Sequence, residues 1–202
     1  VRMLVFPAAS LLRLFANHGL IQLSGRPSWR TVAGGARAYI DRMRGAAGQV
    51  VTNTPITAVV PRDDGVWLYA RGGELGRFDE VVIASHADQA LAMLDTPSHW
   101  EGTLLGAFAY QGNDAWLHRD PGLMPRRRSV WSSWNHLTER AADGSRPVSV
   151  TYWMNRLQQP PTRDSLFVSL NPLREPSPET VISRMRYDHP VFDAAAMRAQ
   201  RL

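Results

Sequence analysis

The sequence predicts a mixed α/β fold whose character changes near residue 95. Before that point, apolar residues at helical spacing alternate with short strand patterns. After Pro97 the strand candidates are rich in Trp, Tyr, Val and Ser, and polar, Pro-containing loops separate them, which is typical of an antiparallel sheet. A chain of 202 residues with 44% hydrophobic residues is long enough for one or two domains with cores of their own.

The composition excludes several kinds of chemistry. The chain has no cysteine, so disulfides, thiol nucleophiles and thiolate metal sites are excluded. All 23 basic residues are arginine, which excludes a lysine Schiff base and a phosphate-loop lysine. No apolar run approaches the ~20 residues that a membrane-spanning helix needs. We expect a cytoplasmic protein.

The first part of the chain is predicted to hold two helices. Residues 8–18 have a helical pattern that stops at Gly19. A second helix should follow Gly34-Gly35 and end at Gly48. Its apolar residues are predicted to share one face of the helix; they are Ala36, Tyr39, Ile40, Met43 and Ala47.

Four short strands should follow, with the sequences QVVTN, PITAVV, VWLYAR and FDEVVIAS. The turn at Asp63-Asp64-Gly65 predicts an antiparallel hairpin between the second and third. The continuous apolar run VVIA indicates a strand buried on both faces, and a helix should begin directly after it.

The second part should be built mainly of strands. LLGAFAYQGNDAWLHRD is predicted to form two of them around Gly112-Asn113-Asp114, and SVWSSWNHL, PVSVTYWMNRL and SLFVSLNP are three more candidates. A last helix should begin near Phe192 or Asp193.

Four features have both a functional and a plain structural interpretation. Gly34-Gly35 could bring a ligand close to bare backbone N–H groups, or could form a ligand-free turn. In the segment SHAD, His86 could contact a ligand, whereas Ser85 or Asp88 could simply cap the next helix. The arginine triplet in PRRRS could bind an anionic partner or be a solvated loop. The tryptophans could line an apolar substrate cavity or fill the core; they are Trp131, Trp134 and Trp153.

Several well-known motifs are absent from the sequence. It contains no G-x-G-x-x-G fingerprint, no nucleotide-phosphate loop, no H-E-x-x-H and no G-x-S-x-G. We therefore expect no metal site. The residues identify no catalytic acid or base, although His86, His136 and Tyr152 are candidates by residue type.

The order of the pieces is more informative than any single motif. W-R-x-V-x-G-G, a helix, T-P-I-x-x-V, a hairpin and F-D-E-V-V-I-A-S-H-A-D-Q-A-L follow one another. This order resembles the flavin-dependent oxidoreductases of the amine oxidase and phytoene desaturase superfamily. More narrowly, MPRRRSVWSSWN, VSVTYWMNRLQ and LFVSLNP resemble bacterial proteins described as predicted NAD/FAD-binding proteins or FAD-dependent amine oxidoreductases.

The resemblance implies a partial FAD/NAD(P)-binding Rossmann-like domain and an antiparallel-sheet substrate domain. Residues 1–24 would be a helical lead-in from the substrate domain, 25–95 an FAD-domain segment, and 96–202 a truncated substrate-domain segment. It implies FAD as cofactor and hydride transfer from a substrate to the flavin. The implied cofactor-binding residues are Gly34, Gly35, Ile56, Ala84, Ser85 and His86. Trp131, Trp134 and Tyr152, in the strand-rich part, are the candidates for substrate binding.

Two departures from this family shape the expected function. The N-terminal dinucleotide fingerprint is absent, so we expect an internal fragment that by itself binds FAD poorly. Many amine oxidases place a lysine near the flavin, and this chain has none, so the resemblance to amine oxidases indicates ancestry more than chemistry. The apolar, Trp-rich second part fits a desaturase, or an isomerase that acts on a lipid-like substrate, at least as well. We expect such a small molecule as partner and no nucleic acid, and we leave open association with a membrane surface and a homodimer. The alternatives are a basic, non-enzymatic module that binds nucleic acid or an anionic membrane, and an inactive remnant of a flavoenzyme.

Overall fold

The computed structural model describes residues 7–28, 30–139 and 147–200. Within these ranges the chain forms six helices and eight strands, which confirms the predicted mixed α/β class. The helices are α1 (Ala8–Asn17), α2 (Ala36–Ala46), α3 (Ala87–Met93), α4 (His99–Gly106), α5 (Met154–Leu157) and α6 (Ala194–Ala199). The strands are β1 (Ile56–Arg62), β2 (Gly65–Ala70), β3 (Gly73–Phe78), β4 (Tyr110–His118), β5 (Trp134–Thr138), β6 (Val148–Trp153), β7 (Phe167–Leu170) and β8 (Val181–Pro190).

The chain divides into two compact units, each discontinuous in sequence. The described part of the first, here called the three-stranded unit, comprises residues 7–17, 47–110 and 190–200. The described part of the second, the five-stranded unit, comprises residues 18–28, 30–46, 111–139 and 147–189. The assignment of residues 1–24, 25–95 and 96–202 to cofactor and substrate roles stays a prediction. The boundary between the compact units that lies nearest to residue 95 falls between residues 110 and 111.

The three-stranded unit contains the predicted hairpin. Strands β1, β2 and β3 lie side by side, and Arg62 pairs with Gly65 across the tight turn between β1 and β2. Gly65 has a φ of +141°, and a Cβ atom there would lie 2.7 Å from the carbonyl oxygen of Phe78, so only glycine fits. The indole Nε1 of Trp67 donates a hydrogen bond of 3.1 Å to the carboxylate of Asp64 and thereby stabilises the turn.

Two of the four strands predicted before residue 95 are absent from the structure. Strand β3 ends at Phe78, residues 79–84 lie outside any strand, and the side chain of Val82 is 92% exposed. Residues 49–53 form no strand either, and Val51 is 65% exposed. The predictions for VVIA and QVVTN were wrong because an apolar run supplies strand propensity but not a hydrogen-bonding neighbour, and no described strand pairs with either segment.

The segment LLGAF, predicted as a strand, belongs to helix α4 and the turn after it. The hydroxyl of Ser98 accepts a hydrogen bond from the backbone N–H of Glu101 at 3.2 Å, and Glu101 accepts one from the N–H of Ser98 at 2.7 Å. This reciprocal pair is a capping box, and it starts a helix at His99. The prediction of two strands around Gly112 was therefore wrong, and β4 is a single strand through that position.

The five-stranded unit contains the predicted antiparallel sheet, with strand order β5-β6-β7-β4-β8. The pairings of β5 with β6, β6 with β7 and β7 with β4 are antiparallel. Strand β8, on one edge, was not predicted. The side chain of Phe167 on β7 is fully buried and packs in a core cluster with Met124, Trp131 and the half-buried Trp153.

Helices α1, α2 and α6 form where the sequence places them. The carboxylate of Asp193 accepts hydrogen bonds from the N–H groups of Ala195 and Ala196, which fixes the start of α6. The apolar face predicted for α2 is not buried, since Met43 is 63% exposed and the helix has no buried residue. None of the helices in the described ranges is long and apolar enough to cross a membrane.

Replacing Phe167 by alanine should lower the free energy of unfolding by about 3–5 kcal/mol, because the side chain is fully buried in the core cluster. Urea denaturation followed by tryptophan fluorescence measures this change. Phe78→Ala is the matched control, since Phe78 is 44% exposed and should cost about 1 kcal/mol. Equal losses in the two variants would show that the core of the five-stranded unit is not centred on Phe167.

Candidate functional site

The predicted cofactor-facing joint lies between residue 84 and helix α3, in the three-stranded unit. Ala84 and Ser85 are exposed, and His86 occupies the N-cap position of α3. The imidazole of His86 stacks on the ring of Tyr110 with 4.6 Å between ring centroids. The hydroxyl oxygen of Tyr110 accepts a hydrogen bond of 2.7 Å from the backbone N–H of Ala87. Tyr110, a residue that sequence reasoning missed, therefore holds the joint in place.

The helix cap differs from the one expected. Neither Ser85 nor Asp88 occupies the N-cap position, so that prediction was wrong. The hydroxyl of Ser85 instead donates to the carbonyl oxygen of His86 at 3.2 Å, and Asp88 accepts from the N–H of Gln89 inside the first turn. The side chain of Gln89 accepts a hydrogen bond of 3.4 Å from the N–H of His86.

Ile56 lies at the first position of β1, where it pairs with Ala70. The register shifts between Ile56 and Ala58, and this β-bulge leaves the hydroxyl of Thr57 to donate to the carbonyl oxygen of Tyr69 at 3.3 Å. Ile56 as a residue is half-buried.

Gly34 and Gly35 form a left-handed turn directly before α2, in the five-stranded unit. Their φ angles are +82° and +75°, which favour glycine. The N–H of Gly35 donates to Val32 at 3.0 Å, and a Cβ atom on Gly35 would meet nothing within 4 Å. The backbone of Gly35 is therefore open to close approach by a ligand. Its assignment to one cofactor site together with Ile56 and His86 stays a prediction.

The predicted substrate-binding aromatics have different surroundings. Trp134 and Tyr152 pair across β5 and β6, with their ring centroids 6.5 Å apart, and Trp134 is 47% exposed. Burial raises the pKa of the Tyr152 hydroxyl above its usual value. Trp131 is only 9% exposed, and its ring packs edge-on against Trp153 and Phe167. Trp134 and Tyr152 therefore form the accessible pair, and Trp131 belongs to the core.

A buried chain of polar side chains crosses the five-stranded sheet, and sequence reasoning missed it. The Nε2 atom of His118 on β4 lies 2.8 Å from the hydroxyl of Ser169 on β7. That hydroxyl lies 2.7 Å from the hydroxyl of Thr151 on β6. All three side chains have no exposed surface. The signal was present in the sequence, because polar residues alternate with apolar ones in VSVTYW and FVSL.

The tautomer of His118 follows from its contacts. The backbone N–H of Asp120 donates to Nδ1 at 3.1 Å, so Nδ1 carries no proton and the proton sits on Nε2. Nε2 then donates to Ser169, and the Ser169 hydroxyl is free to donate to Thr151. A histidine that activates a serine must accept the hydroxyl proton at the nitrogen facing it. His118 is therefore a structural hydrogen-bond donor and not the general base of a nucleophilic serine.

Asp120 fixes the end of the strand that carries His118. Its carboxylate accepts hydrogen bonds from the N–H of Gly122 at 2.7 Å, from the N–H of Ser177 at 3.1 Å and from Arg174 at 3.3 Å. Burial acts to raise the pKa of Asp120, but the N–H groups and Arg174 outweigh it and lower the pKa below its usual value. Burial lowers the pKa of His118, Arg174 lowers it further, and the Asp120 carboxylate opposes both. The two pKa shifts therefore favour a charged Asp120 beside a neutral His118.

The last points concern His136 and metal binding. His136 is exposed on β5. Among the described residues, no group of three or more histidines and carboxylates could hold a metal ion.

A family model identifies the family of this chain. The family model for flavin containing amine oxidoreductases matches residues 5–114, more than half of the 202 residues. No curated protein matches the chain. A crystal structure of a CLA-producing fatty acid isomerase from P. acnes is similar, with 12% sequence identity and a TM-score of 0.48. The similar region covers 77% of this chain and 40% of that one.

The neutral state of His118 should make stability depend on pH. Because the folded-state pKa is lowered relative to the unfolded value of about 6.5, the unfolded chain binds more protons below that pH. The contribution of His118 to the free energy of unfolding should be complete above about pH 6.5. Below that pH the free energy of unfolding should fall by at most about 1.4 kcal/mol per pH unit.

Urea denaturation at several pH values between about 7.5 and 5 measures this slope. His118→Gln should remove most of the slope, whereas the exposed-site control His136→Gln should keep it. A slope that survives in the His118 variant would assign the titration to another group.

Proposed function

The chain belongs to the flavin-containing amine oxidoreductase family, and we propose that it is a segment of an FAD-dependent oxidoreductase. In this proposal a hydride passes from an organic, apolar or lipid-like substrate to the flavin. The observation that supports it is the family match over residues 5–114, which includes both the Gly34-Gly35 turn and the joint at residues 84–86. The segment would belong to a bacterial, cytoplasmic protein.

Three backbone regions would hold the cofactor in this proposal. The first is the turn at Gly34 and Gly35, whose open space suits a planar or phosphate-bearing group at the start of α2. The second is the backbone at Ile56, and the third is the exposed joint formed by Ala84, Ser85 and His86. The turn and the joint are open to a bulky group, since Ala84 and Ser85 are exposed and a Cβ atom on Gly35 would meet nothing within 4 Å.

Flavin chemistry would supply the hydride acceptor, so the chain itself has to bind, orient and shield the reactants. Tyr110 keeps the joint in one conformation through its stacking on His86 and its hydrogen bond to Ala87. Trp134 and Tyr152 offer an aromatic surface that would contact an apolar substrate and exclude water. The lack of lysine separates this proposal from amine oxidases that place a lysine near the flavin.

The first experiment is an absorbance spectrum of the purified chain over about 300–550 nm, recorded before and after addition of FAD and gel filtration. A shifted flavin band that survives filtration would support a working cofactor site in this segment. If the chain alone retains no flavin, the same measurement on a longer protein that contains the segment decides the question. Loss of flavin from both would refute the proposal.

Gly35→Val should weaken FAD binding by at least about tenfold, because the new side chain would occupy the space through which a ligand approaches the turn. Equilibrium titration of FAD, followed by quenching of flavin fluorescence, measures the effect on whichever protein binds it. Gly25→Val is a matched control, since Gly25 has a φ of +67° and equally open surroundings, so the backbone strain is similar. Equal effects in the two variants would attribute the loss to strain and remove Gly35 from the site.

A further inference from the structure

The arginine triplet lies on a loop whose two ends are fixed in the core. This basic loop comprises residues 125–130, between Met124 and Trp131. Both flanking residues belong to the core cluster of the five-stranded unit, with 4% and 9% of their surfaces exposed. The indole Nε1 of Trp131 donates to the carbonyl oxygen of Pro125 at 2.8 Å and closes the loop. The loop is therefore a folded structure and not the solvated, shapeless segment that its composition also allowed.

Four arginines belong to this region, and none is neutralised by a described carboxylate. Arg126, Arg127 and Arg128 are exposed on the loop. Arg156 from α5 donates to the carbonyl oxygen of Trp131 at 3.0 Å, so a fourth cation lies beside the loop. The ion pairs of the described residues use other arginines: Arg77, Arg119, Arg174 and Arg184.

The loop also carries an exposed apolar side chain. Val130, at the end of a short 3₁₀ turn that follows Arg127, is 57% exposed. A cluster of arginines beside an apolar tip suits a bilayer surface, where the cations meet lipid phosphates and the apolar group enters the headgroup boundary.

The surroundings of Trp131 argue against nucleic acid as the partner. Binding of single strands usually relies on exposed aromatic rings on which bases stack. The one aromatic ring at the loop is buried, with Trp153 and Phe167 packed edge-on against it and the Arg128 guanidinium 5.3 Å from the centre of the indole. It is not available for stacking.

We propose that the basic loop, together with Arg156, docks the protein on an anionic lipid bilayer. This inference goes beyond the proposed function and does not depend on the flavin. Docking of this kind would bring an apolar substrate site close to a membrane that holds such molecules. It requires only charge complementarity, the closed loop and the exposed Val130.

Co-sedimentation of the purified chain with vesicles tests the proposal. One set of vesicles contains phosphatidylcholine alone, and the other contains phosphatidylcholine with phosphatidylserine. The chain should partition onto the anionic vesicles only. Binding should vanish near 1 M salt, where the Debye length is about 3 Å. Equal binding to both vesicle types, or binding to neither, would overturn the proposal.

The triple variant R126Q/R127Q/R128Q should lower the partition coefficient on the order of 100-fold, because each arginine near an anionic leaflet contributes about fivefold. The triple variant R42Q/R44Q/R198Q is the matched control, since it also lowers the formal net charge from +5 to 5 − 3 = +2. Its three arginines are exposed on α2 and α6. The control should retain binding within about threefold. Equal losses in the two variants would show attraction by net charge alone and refute a docking loop.

A double variant keeps the test decisive if loss of Arg128 disturbs the loop. R126Q/R127Q leaves the contact between Arg128 and Trp131 intact and should lower the partition coefficient by about 25-fold. Polyglutamate serves as a further probe. Binding to polyglutamate without binding to anionic vesicles would identify an acidic protein as the partner and overturn the assignment to lipid.

Discussion

The five-stranded sheet depends on the hydrogen-bonded chain that runs from His118 through Ser169 to Thr151 across three neighbouring strands. Each of these bonds is worth only about 0.5–1.5 kcal/mol net, but an unsatisfied buried partner costs about 1–3 kcal/mol. A slip of one residue between β7 and its neighbours would turn Ser169 to the opposite face of the sheet and take Phe167 out of the core cluster. The polar chain therefore selects the strand register, and the apolar cluster adds buried hydrophobic surface on Phe167, Met124 and Trp131.

The three-stranded unit has no comparable interior. Its buried apolar side chains within the described residues are Val59, Ala90 and Ala196, of which only Val59 lies on a strand. Val51 and Val82 remain exposed on segments that have strand composition but no strand neighbour. Sequence propensity is local, whereas a strand exists only when a second chain segment satisfies its backbone groups. This is why VVIA was predicted as a buried strand and is found outside any sheet.

Local signals predicted the local structure well. The turn at Asp63-Asp64-Gly65 and the cap at Asp193 act through neighbouring backbone atoms, so the hairpin and α6 were predictable from a few residues. The capping box of Ser98 and Glu101 was equally readable but was outweighed by the apolar run that follows it. Strand β8 and the joint held by Tyr110 depend on residues far apart in sequence. No single stretch contains that information, and the grouping of glycines and joint into one cofactor site rests on the family resemblance.

Trp131 shows how one packing constraint bears on both proposals. Its indole is enclosed by Trp153, Phe167 and Arg128, so of the aromatic residues expected to bind substrate only Trp134 and Tyr152 stay accessible. Its Nε1 proton is used by the carbonyl oxygen of Pro125, and its own carbonyl oxygen is used by Arg156. Burial removes this tryptophan from a substrate surface. The hydrogen bond from its Nε1 closes the basic loop, and its carbonyl oxygen holds a fourth arginine beside that loop. A residue expected to bind substrate thus acts as the anchor that makes a cationic surface rigid, and rigidity lowers the entropy lost when that surface binds.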